Sequence, residues 1–436
     1  MQSIDTEQAF KEKVGNDVLI ALLEQDSVPM ETLHKRYGSL LELVRVLIGV
    51  VPECDRYLEI WPPAFRTYNL IVPNFLNLPF SIFGVGKAPK EMVGLGMYVA
   101  GRAAECPYCT AHTCSFALRR GTSPESVANA LVGEGDFSDR ELSAIAVAKS
   151  LARIPCELTA EEHSTLLKHY SDVEAEWVVL GVAMMGFLNK FMDAIGVQLE
   201  TDTVAETRQT MGEDWSAGKA GRALAHENNN DKPASDNLQT KLSIIRHAPQ
   251  ALKLDKQWQR GVPDRWPQVG DFLRDKTGYH FPVLSQLHNA RAIRAIATVL
   301  QENLNADQSV VGIDTKIKAG IIFATVIQDN NLVDIVTSLN GSELSDDELS
   351  TLKHFACQPA AESPADSPHE TALLNMVRAA SPSPAMITTD IVSKCRNAGL
   401  SPQSIVEMVT WLSVLQMLHR LSSYVQFSDT EKQSTN

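Results

Sequence analysis

The chain has 436 residues, with 53 Asp and Glu against 39 Lys and Arg and a net charge of −14. That length is long for one hydrophobic core and predicts two domains. The acidic balance, with no cluster of Lys and Arg, excludes nucleic acid as a main partner, and 44% hydrophobic residues exclude wholesale disorder.

Met1 to Asp17 is polar and carries Asp5, Glu7 and Glu12. It lacks the basic and apolar regions of a secretory signal, so a cytoplasmic location is expected. No stretch of about 18 apolar residues is free of charge, so no membrane span is expected. The first helical periodicity covers Leu40–Val51 and the second Met92–Ala104.

A dense cluster of reactive side chains follows: Glu105, Cys106, Pro107, Tyr108, Cys109, Thr110, Ala111, His112, Thr113 and Cys114. Pro107 suits the first turn of a helix, which puts Cys106 near the cap. The helix then runs to Gly121, a plausible C-cap. The pair Arg119-Arg120 sits near that end, where dipole compensation explains it. Cys106 and Cys109 fall on neighbouring turns of one face, about 5 to 6 Å apart at Cα, within disulfide range. The helix N-terminus favours a thiolate at Cys106. His112 is one turn beyond Cys109 and too far along the axis for Cys106, which favours Cys109. On geometry alone the attacking sulfur stays open.

Zinc is disfavoured. Cys114 points to the other side of the helix, and the chain has no second Cys-x-x-Cys, so no metal or other cofactor is expected. Cys54, Cys114, Cys156, Cys357 and Cys395 read as buried core residues. An odd, sparse set of seven cysteines does not form a disulfide scaffold. Tyr108 and Thr110 read as packing and solvent-facing residues.

Further along, Ser123-Pro124 marks a helix start, Leu142–Leu151 and Trp177–Phe191 are helical, and Thr159 with Glu162 has capping-box spacing. Thr201 to Asn237 is polar, contains the run from Glu227 to Ser235, and reads as a linker. Beyond it, helices are predicted over Ile317–Ile327, Ala372–Val377 and Ile405–Leu421. Ser345 with Glu348 and Ser401-Pro402 give start signals, and Gln358 to Ser367 is a loop. The fold class is all-α.

The two halves resemble each other. One ungapped shift pairs Leu41 with Leu238, Pro52 with Pro249, Trp61 with Trp258, Val72 with Val269, Phe75 with Phe272 and Leu76 with Leu273. After an insertion, Val93, Gly96 and Ala100 pair with Ile317, Gly320 and Ala324, which sets Asn330 and Val333 opposite the cysteines. Glu141-Leu142 then pairs with Glu370-Thr371, and Leu158-Thr159 with Ile387-Thr388. The expected division is residues 1–200, a linker 201–237, and 238–436 as a degenerate copy without the cysteine pair.

The cluster Cys106, Cys109 and His112, with Met92–Ala104 as the preceding helix, resembles the signature of the AhpD-like alkylhydroperoxidase and carboxymuconolactone decarboxylase superfamily. The resemblance implies two tandem AhpD-like helical domains and a homo-oligomer. It also implies a thiol peroxidase or disulfide oxidoreductase in which Cys109 attacks a small hydroperoxide, Cys106 resolves, and an external thiol donor restores the pair. The family's histidine usually stands one residue further on, at the position of Thr113. The family's proton-relaying Glu falls at Gly94, which leaves Glu91, one turn earlier, as the candidate. Two alternatives stand beside this reading. One is a decarboxylase-like acid–base enzyme on a small organic acid, with His112, Glu91 and Arg102 as candidates. The other is a non-catalytic assembly protein.

Overall fold

The computed structural model describes residues 9–225, 237–341 and 344–434. Among these the secondary structure is helical throughout, apart from one isolated parallel bridge between Glu200 and Ala225.

Local chemistry accounts for the helix boundaries. Ser138 with Glu141, Thr159 with Glu162, Ser171 with Glu174 and Ser345 with Glu348 each form a reciprocal capping box. Ser123 accepts from Ser126 N ahead of Pro124, and Ser401 accepts from Ser404 N ahead of Pro402. Each predicted periodicity lies within a helix or overruns its end by a residue or a few. Leu40–Val51 falls in Met30–Ile48, Met92–Ala104 in Lys90–Ala103, and Trp177–Phe191 in Asp172–Ile195.

Two long helices form the centre. Asp172–Ile195 is predominantly apolar, is buried on nearly all sides beyond its first turn, and pairs with Pro402–Ser434. A Cβ on Gly186 would stand 2.9 Å from the Gln416 carbonyl oxygen, so a side chain there forces these helices apart. Asp172–Ile195 is long and apolar enough to cross a membrane by composition, but 94% of its most apolar window is buried inside the protein.

The same order of neighbours occurs in both halves. Lys90–Ala103 packs on Pro107–Arg119, Asp139–Ala152 and Asp172–Ile195, while Ile313–Val326 packs on Asn330–Thr337, Pro368–Ala380 and Pro402–Ser434 and, in addition, on Asp346–Cys357. Across the centre the two halves cap each other. Lys190 Nζ donates to the carbonyls of Ala380, Ser381 and Pro382 at 2.9, 2.7 and 2.6 Å. Arg420 donates to Val182 O at 2.9 Å and Ala152 O at 3.3 Å. Lys190 thus satisfies carbonyls at the end of Pro368–Ala380, and Arg420 the last carbonyl of Asp139–Ala152 together with one inside Asp172–Ile195.

Four expectations need correction. The ungapped shift does not pair equivalent positions. Leu41 is fully buried within a helix while Leu238 is a 74% exposed first residue, and Trp61 precedes a helix while Trp258 ends one. The paired apolar letters coincided there without a shared environment. Second, the expected linker is largely structured. Thr201–Met211 is a helix packed on Pro107–Arg119, and the chain is built through residue 225; the run 227–235 lies outside the described residues. Its buried side is carried by Thr203, Val204 and Thr207, which a polar composition conceals. Third, Cys357 is exposed, Cys156 is half-buried, and Thr110 is buried where a solvent-facing position was expected. Fourth, Arg119 and Arg120 are buried. Arg119 binds Ser115 O and Glu206, and Arg120 donates to Leu47 O near the end of Met30–Ile48.

Candidate functional site

The cysteine helix Pro107–Arg119 lies antiparallel against Lys90–Ala103, and glycines allow the close approach. A Cβ on Gly101 would come within 3.3 Å of Thr110 N, and one on Gly94 within 3.3 Å of Ala117 Cα. Glu105 then turns the chain with φ +52°, Cys106 is extended, and Pro107 occupies the first turn.

This geometry makes Cys106 the cap residue itself. Its Sγ accepts from Cys109 N at 3.3 Å, and the two sulfurs stand 2.6 Å apart. The Cys106 sulfur therefore receives a backbone N–H at the start of the helix. Cys109 sits differently. Burial pushes its thiol well above the usual range, and the Cys106 sulfur beside it adds to the shift. Deprotonating Cys109 therefore calls for an adjacent proton acceptor.

Cys109, His112, Thr113 and Phe116 lie on one helix face and line a cavity of about 640 Å³, mouth included. Cys106 does not line it. Met184, Met185, Leu188 and Met192 of the central helix form another wall. Among the lining residues Val44, Ile48, Val72 and Leu188 are half-buried and form the more open part of the cavity. Cys54, Tyr68 and Tyr108 complete a polar patch on the wall. Burial pushes the Tyr68 and Tyr108 phenols and the Cys54 thiol upward, so all three remain protonated.

The carboxylate beside His112 comes from Glu200. Its Oε2 lies 3.1 Å from His112 Nε2, close enough for an ion pair though not aligned as a hydrogen bond, and its Oε1 accepts from Glu53 N at 2.9 Å. Glu200 is completely buried. Burial alone would raise its pKa, but the His112 charge and the Glu53 and Glu200 backbone N–H groups more than offset it and hold the carboxyl below the usual range. The bridge to Ala225, with Thr201 N donating to Ala225 O at 2.9 Å, fixes Glu200 in place. Tyr108 packs against the imidazole, its ring centroid 4.5 Å from that of His112.

Of the sequence-predicted residues, Cys106 and Cys109 are in contact, His112 shares the cavity wall with Cys109, and Glu91 is not at the site. Because the two helices are antiparallel, Glu91 is exposed at the far end, beside Gly121. Gly94 faces Ala117, two turns past Cys109, so neither position can serve a relay at the sulfurs. Arg102 contacts Tyr98 and Met211 instead of the cavity. Sequence reasoning missed Glu200. The available signal was an acid directly after Val197-Gln198-Leu199, at the edge of what read as a linker. Among the described residues no group of three or more His, Cys, Asp or Glu is arranged to hold a metal ion.

No family model matches the chain, and no curated protein matches it. Among solved structures, the crystal structure of the apo debrominase Bmp8 is similar over 42% of this chain and 96% of its own, with 19% identity and a TM-score of 0.38. A cysteine-to-alanine variant of that debrominase in complex with 2,3,4-tribromopyrrole covers 42% and 95%, with 20% identity and a TM-score of 0.36.

Proposed function

We propose that this protein is a thiol-dependent oxidoreductase of the AhpD-like kind, reducing a small hydroperoxide at Cys109. The observation that carries this reading is the layered arrangement of the site: Cys109 and His112 face the cavity while the Cys106 sulfur waits 2.6 Å behind. Cys109 gives its proton to His112, whose positive charge Glu200 balances. The thiolate attacks the distal peroxide oxygen; an S–O bond forms, the O–O bond breaks, and the leaving alkoxide takes the proton from His112. The Cys106 sulfur then attacks the sulfenic acid, forming the disulfide and releasing water. An external dithiol reduces that disulfide by exchange.

The second half is read as a degenerate copy, supported by the repeated neighbour order and the reciprocal capping by Lys190 and Arg420. Its role in this reading is to bury the central helix that forms the cavity wall.

The test is consumption of cumene hydroperoxide with dithiothreitol as donor, followed by thiol mapping. Loss of two thiols at Cys106 and Cys109, abolished in Cys109→Ser, is expected. Undiminished turnover in that variant rules the reading out.

A further inference from the structure

We infer that Arg291, a residue of the second half, sets the selectivity of the first half's cavity: it holds one cavity wall in place and so limits the size of molecule that reaches Cys109. The inference rests on the redox reading of the cavity and adds the residue that governs access to it.

The wall is the helix Pro62–Phe75 with the turn that follows it. Tyr68, Val72, Leu76 and Leu78 line the cavity, and Val72 belongs to its more open part. Thr67 and Asn74 fall on the opposite face of that helix, which packs on Ala290–Asn303. The two helices run antiparallel and are joined at both ends. At the end away from the turn, Arg66 Nε donates to Glu302 Oε1 at 2.7 Å and Asn303 Nδ2 donates to Thr67 Oγ1 at 3.0 Å.

At the other end Arg291 grips the turn itself. Its Nε donates to Asn74 Oδ1 at 3.1 Å, its Nη1 to Asn77 Oδ1 at 3.0 Å and its Nη2 to Leu78 O at 2.9 Å. The guanidinium carbon also lies 5.1 Å from the centre of the Phe80 ring. Leu76 and Leu78 sit among the residues so held, so their places in the wall follow the guanidinium. Asn77 extends the hold, its Nδ2 donating to Val85 O at 2.8 Å. Arg291 is fixed in turn by the central helix, where Glu176 accepts from His288 N at 2.7 Å and Asn289 N at 2.8 Å, and Asn289 caps the helix that carries Arg291. A planar fork spans these separate acceptors, which a lysine ammonium cannot do. Without it the turn relaxes, Leu76 and Leu78 lose their fixed positions, and bulkier molecules pass.

The experiment is labelling of the reduced full chain with N-ethylmaleimide and the bulkier N-(1-pyrenyl)maleimide, quantified cysteine by cysteine. Both reagents use the same chemistry, and the exposed Cys357 reports their intrinsic rates. Relative to Cys357, Cys109 of the parent protein should prefer the small reagent. Arg291→Met should raise the pyrenyl-to-ethyl ratio at Cys109 at least about fivefold, and Arg291→Lys by less. Arg66→Met loosens the far end of the same helix pair; it should lower the urea midpoint and leave the ratio unchanged. An unchanged ratio in folded Arg291→Met overturns the inference, as does a parent protein without preference for the small reagent. An equal rise in Arg66→Met also overturns it, because that marks general loosening. If Arg291→Met does not fold, the ratio in Arg291→Lys decides. Peroxide-driven thiol loss is measured in parallel. If the ratio responds to Arg291 without thiol loss in the parent, the wall's role stands and the redox reading falls; thiol loss with an unmoved ratio does the reverse.

Discussion

Cys106 and Asp329 occupy the same structural position in two different helices. Cys106 Sγ accepts from Cys109 N at 3.3 Å, and Asp329 Oδ1 accepts from Leu332 N at 2.9 Å. The residue before each is left-handed, Glu105 at φ +52° and Gln328 at φ +60°. The caps therefore set Asp329 and Leu332, one residue earlier than Asn330 and Val333, opposite the cysteines. Where the first half holds a sulfur pair, the second holds a carboxylate 2.6 Å from His419 Nδ1 and a buried leucine.

Asp329→Ala should then be a stability variant with no redox phenotype. It removes an N-cap and leaves the buried His419 without its partner, costing about 2–4 kcal/mol in total. Denaturant unfolding measures the first effect. Thiol loss on peroxide treatment, with Cys106 and Cys109 intact, measures the second; slowed thiol chemistry in a folded variant would contradict the separation of the two halves' roles.

The crossed capping by Lys190 and Arg420 makes the halves interdependent. Arg420→Met leaves the Ala152 carbonyl at the end of Asp139–Ala152 unsatisfied in a dry interface, removes the second hydrogen bond to Val182 O, and should cost about 1–3 kcal/mol. A single cooperative unfolding transition at lower denaturant is expected. Two resolved transitions, one per half, would show that the capping does not couple them.

The fold class was legible because capping residues and apolar periodicity report on local structure, which the chain forms within a few turns. Thr159–Glu162 and Ser345–Glu348 place helix starts to the residue. Cys106, Cys109 and His112 were legible for the same reason, since one helix carries all three. Glu200 was not, because its contact with His112 depends on how Thr201–Met211 folds back onto the cysteine helix. Glu91 failed for the converse reason. Its nearness to the pair along the sequence is undone by antiparallel packing, a tertiary fact no spacing encodes. The tryptophan match failed because identical residues can cap one helix and end another.

Asp55 should make stability fall as pH rises. It is fully buried, neither carboxylate oxygen has a hydrogen-bond partner of acceptable geometry, and Asn69 nearby gives its Nδ2 to Phe65 O. Burial is the main cause lifting its pKa to about 8. The unfolded chain releases this proton near pH 4, whereas the folded chain keeps it to about pH 8. Stability from this group is thus greatest at low pH, declines across that window, and is flat above it, a change on the order of 2–5 kcal/mol. Asp55→Asn should flatten the slope in urea midpoints measured from pH 5 to 8; an unchanged slope would show that Asp55 ionises freely.

Glu200→Gln separates electrostatics from shape at the centre of the site. Glutamine keeps the acceptor for Glu53 N but loses the charge that balances His112. Because the folded-state pKa of Glu200 is depressed, its stabilisation is present above the unfolded value and lost as pH falls through the folded one. The variant should therefore lose about 1–3 kcal/mol at pH 7 and show a flatter decline below about pH 4.5. Its chemistry should suffer more than its fold. Without the carboxylate, His112 takes the Cys109 proton less readily, and peroxide-driven thiol loss should slow about 10- to 100-fold. Glu91→Gln serves as the control, since Glu91 is exposed at the far end of the helix pair and should change neither quantity. Equal rates for Glu200→Gln and the parent protein would remove the imidazole–carboxylate pair from the reaction and leave the sulfurs to exchange their proton alone.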